Sequence, residues 1–190
     1  MLSQFQMVGH ALFTQGLVSS HSGDLSIRLG EHLLITHRSS MLGSIGEADL
    51  VDTRITKNDR ATPLASTELA VHRSIYKQTP AMAVVHAHPP YAIALSFTEE
   101  EIMPCDMEGR ILLPKVPILG KQMMVKAGDL AGEIAEALKQ YKVVLVKGHG
   151  SFAAGQLLEE AYYYTDVLEQ SCRLLCLLKA LGRSPDVNLP

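Results

Sequence analysis

The apolar positions along this chain follow two rhythms, a helical spacing in some segments and short continuous runs in others. Apolar residues at helical spacing predict amphipathic helices, and short β-branched runs bounded by turn residues predict buried strands. We expect helices over residues 2–18, from a Ser66-Thr67-Glu68 cap to residue 78, and over 91–97, 129–141 and 158–181. We expect strands over 25–29, 33–36, 49–53, 82–86 and 143–146, with an extended stretch interrupted by two prolines over 111–118. Strands joined by hairpins and single helices predict a mixed, mostly antiparallel sheet with helices on both faces.

Length and composition indicate one domain over residues 1–190. The chain has 190 residues, 47% of them hydrophobic, which is enough to bury a sizeable core. Its formal net charge is −3 and its basic residues are not clustered, which argues against nucleic acid as a partner. Cys105, Cys172 and Cys176 are too few and too irregularly spaced for a disulfide framework, and we expect them to be core thiols.

The sequence contains no sign of membrane association or export. It has no run of 18 apolar residues, and its first residues lack a basic region followed by a continuous apolar stretch. We therefore expect neither a membrane span nor a signal peptide, and a cytoplasmic location.

Three histidines follow two of the predicted strands. His86 and His88 come at the end of one apolar run, and His149 follows another, between Gly148 and Gly150. Residues two apart in an extended chain point to the same side, so both imidazoles of the pair can reach one ion. A third imidazole from a separate strand end would complete an open three-histidine site for a divalent metal such as zinc. Pairs of this type also occur by chance, but the flanking glycines permit a close backbone approach that a plain surface loop does not require.

Ser66-Thr67-Glu68 forms a second candidate group at the predicted start of a helix. Hydroxyls and free backbone N–H groups at such a position can bind an anion. Glu68 has two interpretations: a favourable interaction with the helix dipole or, near a metal, a ligand that acts as a base once substrate displaces it. His72, four residues on, is expected to support the site or to lie at the surface rather than to be a fourth histidine ligand.

Small hydroxylated residues form a third group, over residues 19–24 and 36–40. Such residues most often only form turns. They can also hold phosphate through hydroxyls and backbone amides, with Arg38 supplying positive charge beside Ser39.

Taken in order, four segments resemble the class II aldolase and adducin family over almost the whole chain: Gly23-Asp24-Leu25-Ser26-Ile27-Arg28, Ser66-Thr67-Glu68, His86-Ala87-His88-Pro89 and Gly148-His149-Gly150. The resemblance implies a single-domain, three-layer α/β/α sandwich that assembles as a homotetramer with zinc sites at subunit boundaries. It further implies one Zn²⁺ per chain held by His86, His88 and His149, with Glu68 as the ligand that doubles as acid and base. The epimerase branch of the family carries aspartate where Glu68 stands, so the resemblance favours the aldolase branch.

Two of the departures from the family pattern concern the binding of substrate. The family usually has Gly-Asn where this chain has Gly23-Asp24; that asparagine helps to hold substrate phosphate, whereas an ionised Asp24 would repel a dianion. The Thr-Pro-Ser-Gly turn of relatives is replaced by Thr36-His37-Arg38-Ser39, so Arg38 compensates for Asp24 or the ligand carries a carboxylate instead. The residues expected to bind a sugar phosphate or a sugar acid are Asp24, Arg38, Ser39, Ser66 and Thr67.

These observations predict a zinc-dependent aldolase that cleaves a small, phosphorylated hydroxy-ketone through a metal-stabilised enediolate, with Glu68 moving the proton. A metal-dependent decarboxylase or epimerase of a sugar acid or sugar phosphate is an open alternative, since it would use the same intermediate. A non-catalytic, adducin-like interaction domain would keep the fold and lose the metal. The three histidines argue against that last interpretation, because a binding module needs no convergent imidazoles.

Overall fold

An eight-stranded sheet forms the centre of the computed structural model, which describes residues 1–120 and 126–184. The strands are β1 (Asp24–Leu29), β2 (His32–Thr36), β3 (Leu50–Arg54), β4 (Ala83–Ala87), β5 (Glu101–Ile102), β6 (Val116–Leu119), β7 (Val143–Val146) and β8 (Gly150–Gly155). Their order in the sheet is β3-β2-β1-β4-β8-β7-β6-β5, and neighbours are antiparallel except for β6 and β7. The mixed, mostly antiparallel sheet predicted from the sequence is confirmed.

Helices cover both faces of this sheet. They are α1 (Leu2–Thr14), α2 (Leu69–Gln78), α3 (Pro90–Ser96), α4 (Met107–Leu112), α5 (Ala131–Ala137) and α6 (Leu158–Ala180). Buried side chains of α1, α3 and α6 form one core with the sheet, and those of α2 and α5 form a second core. The α/β/α layering is therefore confirmed. Among the described residues, no helix is both long and apolar enough to cross a membrane.

Alternation along β4 decides which layer receives each of its side chains. Val85 packs into the core beneath α1 and α6, whereas Val84 packs into the core beneath α2 and α5. His86 follows with the period of two and lies on the Val84 face. The predicted core thiols also lie where expected: Cys172 is buried, Cys105 and Cys176 are half-buried, and all three are unpaired.

Helix α1 ends at Thr14, four residues before the predicted end. Gly16 adopts a left-handed conformation (φ 71°), and the N–H of Leu17 donates to the carbonyl of Leu12, which closes the helix. The chain then turns away from the helical path, so the apolar Leu17 and Val18 are buried in the core without being helical.

The stretch expected to be extended over 111–118 is partly helical. Residues 107–112 form α4, because Asp106 accepts a hydrogen bond from the N–H of Gly109 and caps it, and only Val116–Leu119 form a strand. Two strands were not predicted. β5 has two residues, and β8 consists mostly of glycine, serine and alanine, which have little intrinsic strand preference.

Candidate active site

Strand pairing brings the three predicted histidines to one edge of the sheet. His86 lies in β4 and His88 directly follows it, while His149 lies in the turn between β7 and β8. Ala87 at the end of β4 pairs with Ser151 near the start of β8. The end of β4 and the β7–β8 turn are therefore neighbours, although they are far apart in sequence.

The ring nitrogens of these histidines converge. Nε2 of His88 lies 3.1 Å from Nε2 of His86, and Nε2 of His149 lies 3.2 Å from the same atom. One nitrogen from each ring falls within 4.8 Å of the others. Three imidazole nitrogens aimed at one point suit a single divalent cation with an open coordination position.

The ring of His86 is held by two contacts. Its Nδ1 lies 2.9 Å from the carbonyl oxygen of Ser151, and the ring stacks on Phe152 with centroids 4.1 Å apart. A carbonyl can only accept, so Nδ1 carries the proton and donates it, and Nε2 keeps a free lone pair. A backbone partner on the outer nitrogen is the usual support of a metal-binding histidine.

All three imidazoles are neutral at physiological pH. Burial lowers the pKa of His86 to about 3, with the neighbouring His88 and His149 contributing and Asp24 opposing. Burial also lowers the pKa of His88 and of His149. Protons therefore do not compete with a cation for these nitrogens near neutral pH.

Glu68 is the N-cap of α2, which begins at Leu69, whereas the sequence predicted Ser66 or Thr67 as the cap and Glu68 in the first turn. The hydroxyl of Ser66 accepts the N–H of Glu68 at 3.1 Å, in the turn that precedes the helix. The Oε2 atom of Glu68 is buried and has no hydrogen-bond partner among the described residues. Burial raises the pKa of Glu68, with Asp24 contributing and His72 opposing. An unpartnered carboxylate oxygen on a residue that lines the same cavity as the three imidazoles fits a cation or a transferable proton.

The site opens into a cleft made of two adjoining cavities, which share Thr67, Glu68, His88 and His149. The smaller cavity, about 330 Å³, is called here the Arg38 side, and it is also lined by His21, Ser22, Gly23, Asp24, His37, Arg38, Ser39, Ser66 and His86. The larger cavity, about 780 Å³, is called the Lys147 side, and it is also lined by Lys126, Gly128, Asp129, Lys147 and Gly148. The Arg38 side brings together every site residue predicted from the sequence. The two lysines were not predicted, although Lys147 stands directly before the Gly-His-Gly turn.

A chain of buried polar side chains leads away from the Arg38 side. Oδ1 of Asp24 lies 2.5 Å from Nε2 of His72, and Nδ1 of His72 lies 2.6 Å from Oγ of Ser26. Oγ of Ser26 lies 2.6 Å from the hydroxyl of Tyr76, and the Ser66 hydroxyl donates to Oδ2 of Asp24 at 2.8 Å. We expected His72 either to support the site or to lie at the surface. Its side chain is fully buried among these polar residues, which excludes the surface.

The spacing of these residues in the sequence gives a weak sign that they meet. Asp24 and Ser26 are two residues apart on β1 and point to the same face, and His72 and Tyr76 are one helical turn apart on α2. Burial acts to raise the pKa of Asp24, but the adjacent His72, nearby His86 and the Ser66 hydrogen bond lower it to about 2. Asp24 is therefore ionised, as its sequence context suggested.

Comparison with known proteins finds similar sequences and structures over most of the chain. The family model described as "Class II Aldolase and Adducin N-terminal domain" matches residues 3–176. The L-fuculose phosphate aldolase of Methanococcus vannielii is 31% identical over 177 residues, which cover 91% of this chain and 94% of the relative. The 3,4-dihydroxyphthalate decarboxylase of Arthrobacter keyseri is 30% identical over 77% of this chain and 66% of its own length. The crystal structure of L-fuculose-1-phosphate aldolase from Thermus thermophilus is 34% identical, covers 98% of both chains and superimposes with a TM-score of 0.89.

Proposed function

This chain belongs to the class II aldolase and adducin family, and we propose that it is a zinc-dependent aldolase that cleaves a carbon–carbon bond in a small hydroxy-ketone of the sugar phosphate or sugar acid class. The observation that carries the proposal is the convergence of three neutral imidazole nitrogens beside the unpartnered carboxylate of Glu68. Relatives named as aldolases and as decarboxylases both break carbon–carbon bonds, which supports a lyase of this general type.

One zinc ion per chain would be held by Nε2 of His86, His88 and His149. Neutral nitrogens in a partly buried cleft suit zinc. Glu68 lines the same cavity, and its unpartnered Oε2 would complete the donor set. When bound, the ion supplies Lewis acidity that polarises a substrate carbonyl and offsets negative charge on oxygen.

Glu68 moves the proton. In cleavage, solvent takes the proton of a substrate hydroxyl, and the electrons of the carbon–carbon bond shift onto the carbon beside the ketone. That carbon then takes a proton from Glu68, which solvent protonates again afterwards. In the reverse direction Glu68 takes this proton back. The raised pKa of Glu68 favours both transfers near neutral pH.

The hydroxylated residues hold the substrate. Ser66 and Thr67 precede α2, and Arg38 and Ser39 line the same cavity as the three histidines and Glu68. Their polar groups orient the substrate so that its ketone faces the histidines. Arg38 is exposed, so it acts as a cationic group in the outer part of the cavity.

We further propose a cytoplasmic homotetramer with the zinc sites at subunit boundaries, as the family resemblance implies. Large apolar side chains on α4 and α6 support an assembly: Met107 is 80% exposed, Ile111 73% and Leu177 50%. Exposed apolar side chains at this density are common where subunits meet.

Decarboxylation is the second candidate. Lys126 and Lys147 line the cleft beside His88 and His149, where ammonium groups can hold the carboxylate of a sugar acid. A decarboxylase relative at 30% identity supports this candidate. The same electron sink serves both reactions, because each leaves a pair of electrons on the carbon beside a carbonyl.

Zinc analysis and a product assay test these proposals. The reconstituted protein is incubated with a panel of sugar phosphates and sugar acids, and released aldehyde and carbon dioxide are measured separately. Aldehyde release supports the aldolase, whereas carbon dioxide release replaces it with the decarboxylase. Absence of stoichiometric zinc after reconstitution would refute the metal-dependent proposal in either form.

A further inference from the structure

Two of the three proposed metal ligands lie outside the strands of the sheet. His86 lies within β4, and a backbone carbonyl holds its ring. His88 follows the end of β4, and His149 lies in the β7–β8 turn. Their backbone N–H groups donate to the carbonyls of Leu17 and Val146, but no hydrogen bond to Nδ1 of either ring is found among the described residues. The placement of these two rings therefore depends on how firmly the neighbouring backbone is held.

Helix α3 connects the segments that carry these two ligands. It begins at Pro90, two residues after His88, ends at Ser96 and packs against α6 and β7. The hydroxyl oxygen of Ser96 accepts the backbone N–H of Gly148 at 2.9 Å. Gly148 directly precedes His149. One short helix thus reaches a ligand segment with each of its ends.

The hydroxyl of Ser96 makes two hydrogen bonds inside the protein. Ser96 is 1% exposed, and its hydroxyl donates to the carbonyl of Ile93 at 2.6 Å while it accepts from Gly148. Gly148 adopts a left-handed conformation (φ 67°), so the chain turns sharply at this contact. Removal of the hydroxyl would leave the N–H of Gly148 without a partner within the described part of the chain and would release the start of the turn.

Glu169 of α6 holds the other end of α3. Pro89 precedes this helix and Pro90 is its first residue, and proline offers neither an N–H nor a side chain that caps a helix. The N–H groups of Tyr91 and Ala92 donate instead to the two carboxylate oxygens of Glu169, each at 2.9 Å. Glu169 is 5% exposed, so these contacts are shielded from water. Its carboxylate therefore ties the start of α3 to α6.

We propose that Ser96 and Glu169 are positioning residues of the metal site: they fix the two ends of α3 and thereby hold His149 and His88 where one cation can bind both. The proposal rests on the proposed function, because it assumes that the histidines hold a metal ion. Zn–N bonds are about 2.0–2.1 Å long, so a small displacement of either ring weakens the site. Replacement of residues that orient metal ligands typically lowers metal affinity about 10–100-fold.

Zinc affinity, measured by competition with a chromophoric chelator, tests the role of Ser96. Ser96→Ala should raise the Kd for zinc about tenfold or more. Ser171→Ala is the matched control, because Ser171 is also fully buried and its hydroxyl donates to Asp106, which links α6 to α4 and not to a ligand segment. We expect the Kd of this control to stay within about threefold of the wild-type value.

A double-mutant cycle distinguishes positioning of His149 from a general structural role. If Ser96 acts through His149, Ser96→Ala should change the Kd less than about threefold once His149→Ala is present. A general loss of rigidity would weaken binding by the same factor in both backgrounds, which would contradict the proposal. Bound Co²⁺ provides a second readout, because its visible spectrum depends on the arrangement of its ligands. Ser96→Ala should change this spectrum, and Ser171→Ala should not; the spectrum decides if the double variant binds too weakly to titrate.

Glu169→Gln tests the other end of α3. The amide keeps one acceptor oxygen but turns an N–H donor toward one of the two backbone N–H groups, so the Kd for zinc should again rise about tenfold. Glu160→Gln is the control, because Glu160 also accepts a backbone N–H, but at the start of α6 and away from α3. Its Kd should stay within about threefold of wild type.

Thermal unfolding identifies the folded variants, and Glu169→Gln decides the proposal if Ser96→Ala does not fold. Wild-type zinc affinity and a wild-type Co²⁺ spectrum in the folded variants at Ser96 and Glu169 overturn the proposal. An equal loss of affinity in Ser171→Ala also overturns it. A wild-type protein that binds no zinc refutes the proposed function itself, before any variant is compared, so the two failures are distinguishable.

Discussion

Nδ1 of His86 lies 2.9 Å from the carbonyl oxygen of Ser151, the residue that follows Gly150 in β8. This contact assigns the proton to Nδ1 and leaves Nε2 free to face His88 and His149. The orientation of the proposed metal ligand therefore depends on the backbone of β8, whose pairing with β4 also brings the His149 turn to the site.

Replacing His149 by alanine should remove most of the zinc from the reconstituted protein. Loss of one of three neutral nitrogen ligands leaves an incomplete site, and the residue lies in a half-buried turn outside both cores. Zinc content after dialysis is measured by elemental analysis, and we expect the same loss for His86→Ala and His88→Ala. His32→Ala, which removes a surface histidine paired with Asp52, should retain about one ion per chain. Full zinc content in all three site variants would contradict the ligand assignment.

Glu68→Gln should keep the fold and most of the zinc while lowering turnover about 10²–10⁴-fold, the usual contribution of general acid–base catalysis. The substitution preserves size and removes the proton acceptor. Glu47→Gln, at an exposed position, is the matched control and should not alter kcat. If turnover of Glu68→Gln stays near that of wild type, Glu68 serves the start of α2 and another group moves the proton.

The stability of the metal-free protein should fall as pH is lowered from about 6.5 toward 3. Burial lowers the pKa of folded His86 to about 3, whereas the unfolded chain takes up this proton near the ordinary histidine pKa of 6.5. Within that window the unfolded state binds more protons, so acid favours unfolding by about 1.4 kcal/mol per pH unit for one such group. Urea unfolding at several pH values measures the slope. His86→Gln should reduce this slope by about 1.4 kcal/mol per pH unit, which is the contribution of one proton. An unchanged slope would show that His86 does not titrate in this way.

Much of the fold could be predicted because its signals are local. Strands β2, β4 and β7 contain continuous apolar or β-branched runs, β1 alternates apolar with polar residues, and α6 has a long helical pattern. The histidines were found for the same reason, since their spacing and flanking residues are visible in short segments. Strand β8 lacks such a signal, because most of its residues have a weak strand preference. It forms a strand because it pairs with β4 on one side and with β7 on the other.

The buried chain behind Asp24 could not be predicted, because it depends on contacts between elements. Ser26 and His72 are 46 residues apart and meet only when β1 packs beneath α2. His72 considered alone is one polar residue on a helix face, and the sequence does not say whether that position is buried. Its burial becomes visible only when Ser26 and Asp24 of β1 and His72 of α2 are placed together.

The last prediction compares two glycines that differ in the space around them. A Cβ at Gly150 would lie 2.3 Å from the carbonyl oxygen of Ala87 and 2.9 Å from the ring of His88, so Gly150→Ala must push β8 from β4 and displace a proposed ligand. We expect a loss of about 1–3 kcal/mol of stability, as for other overpacked sites, together with a lower zinc content. A Cβ at Gly132, in α5, would meet no atom within 4 Å, so Gly132→Ala should raise stability by about 0.5–1 kcal/mol through helix preference alone. Chemical denaturation and zinc analysis of both variants provide the measurement. Equal stability and zinc content in the two variants would mean that the close approach of β8 to β4 does not hold the histidines in place.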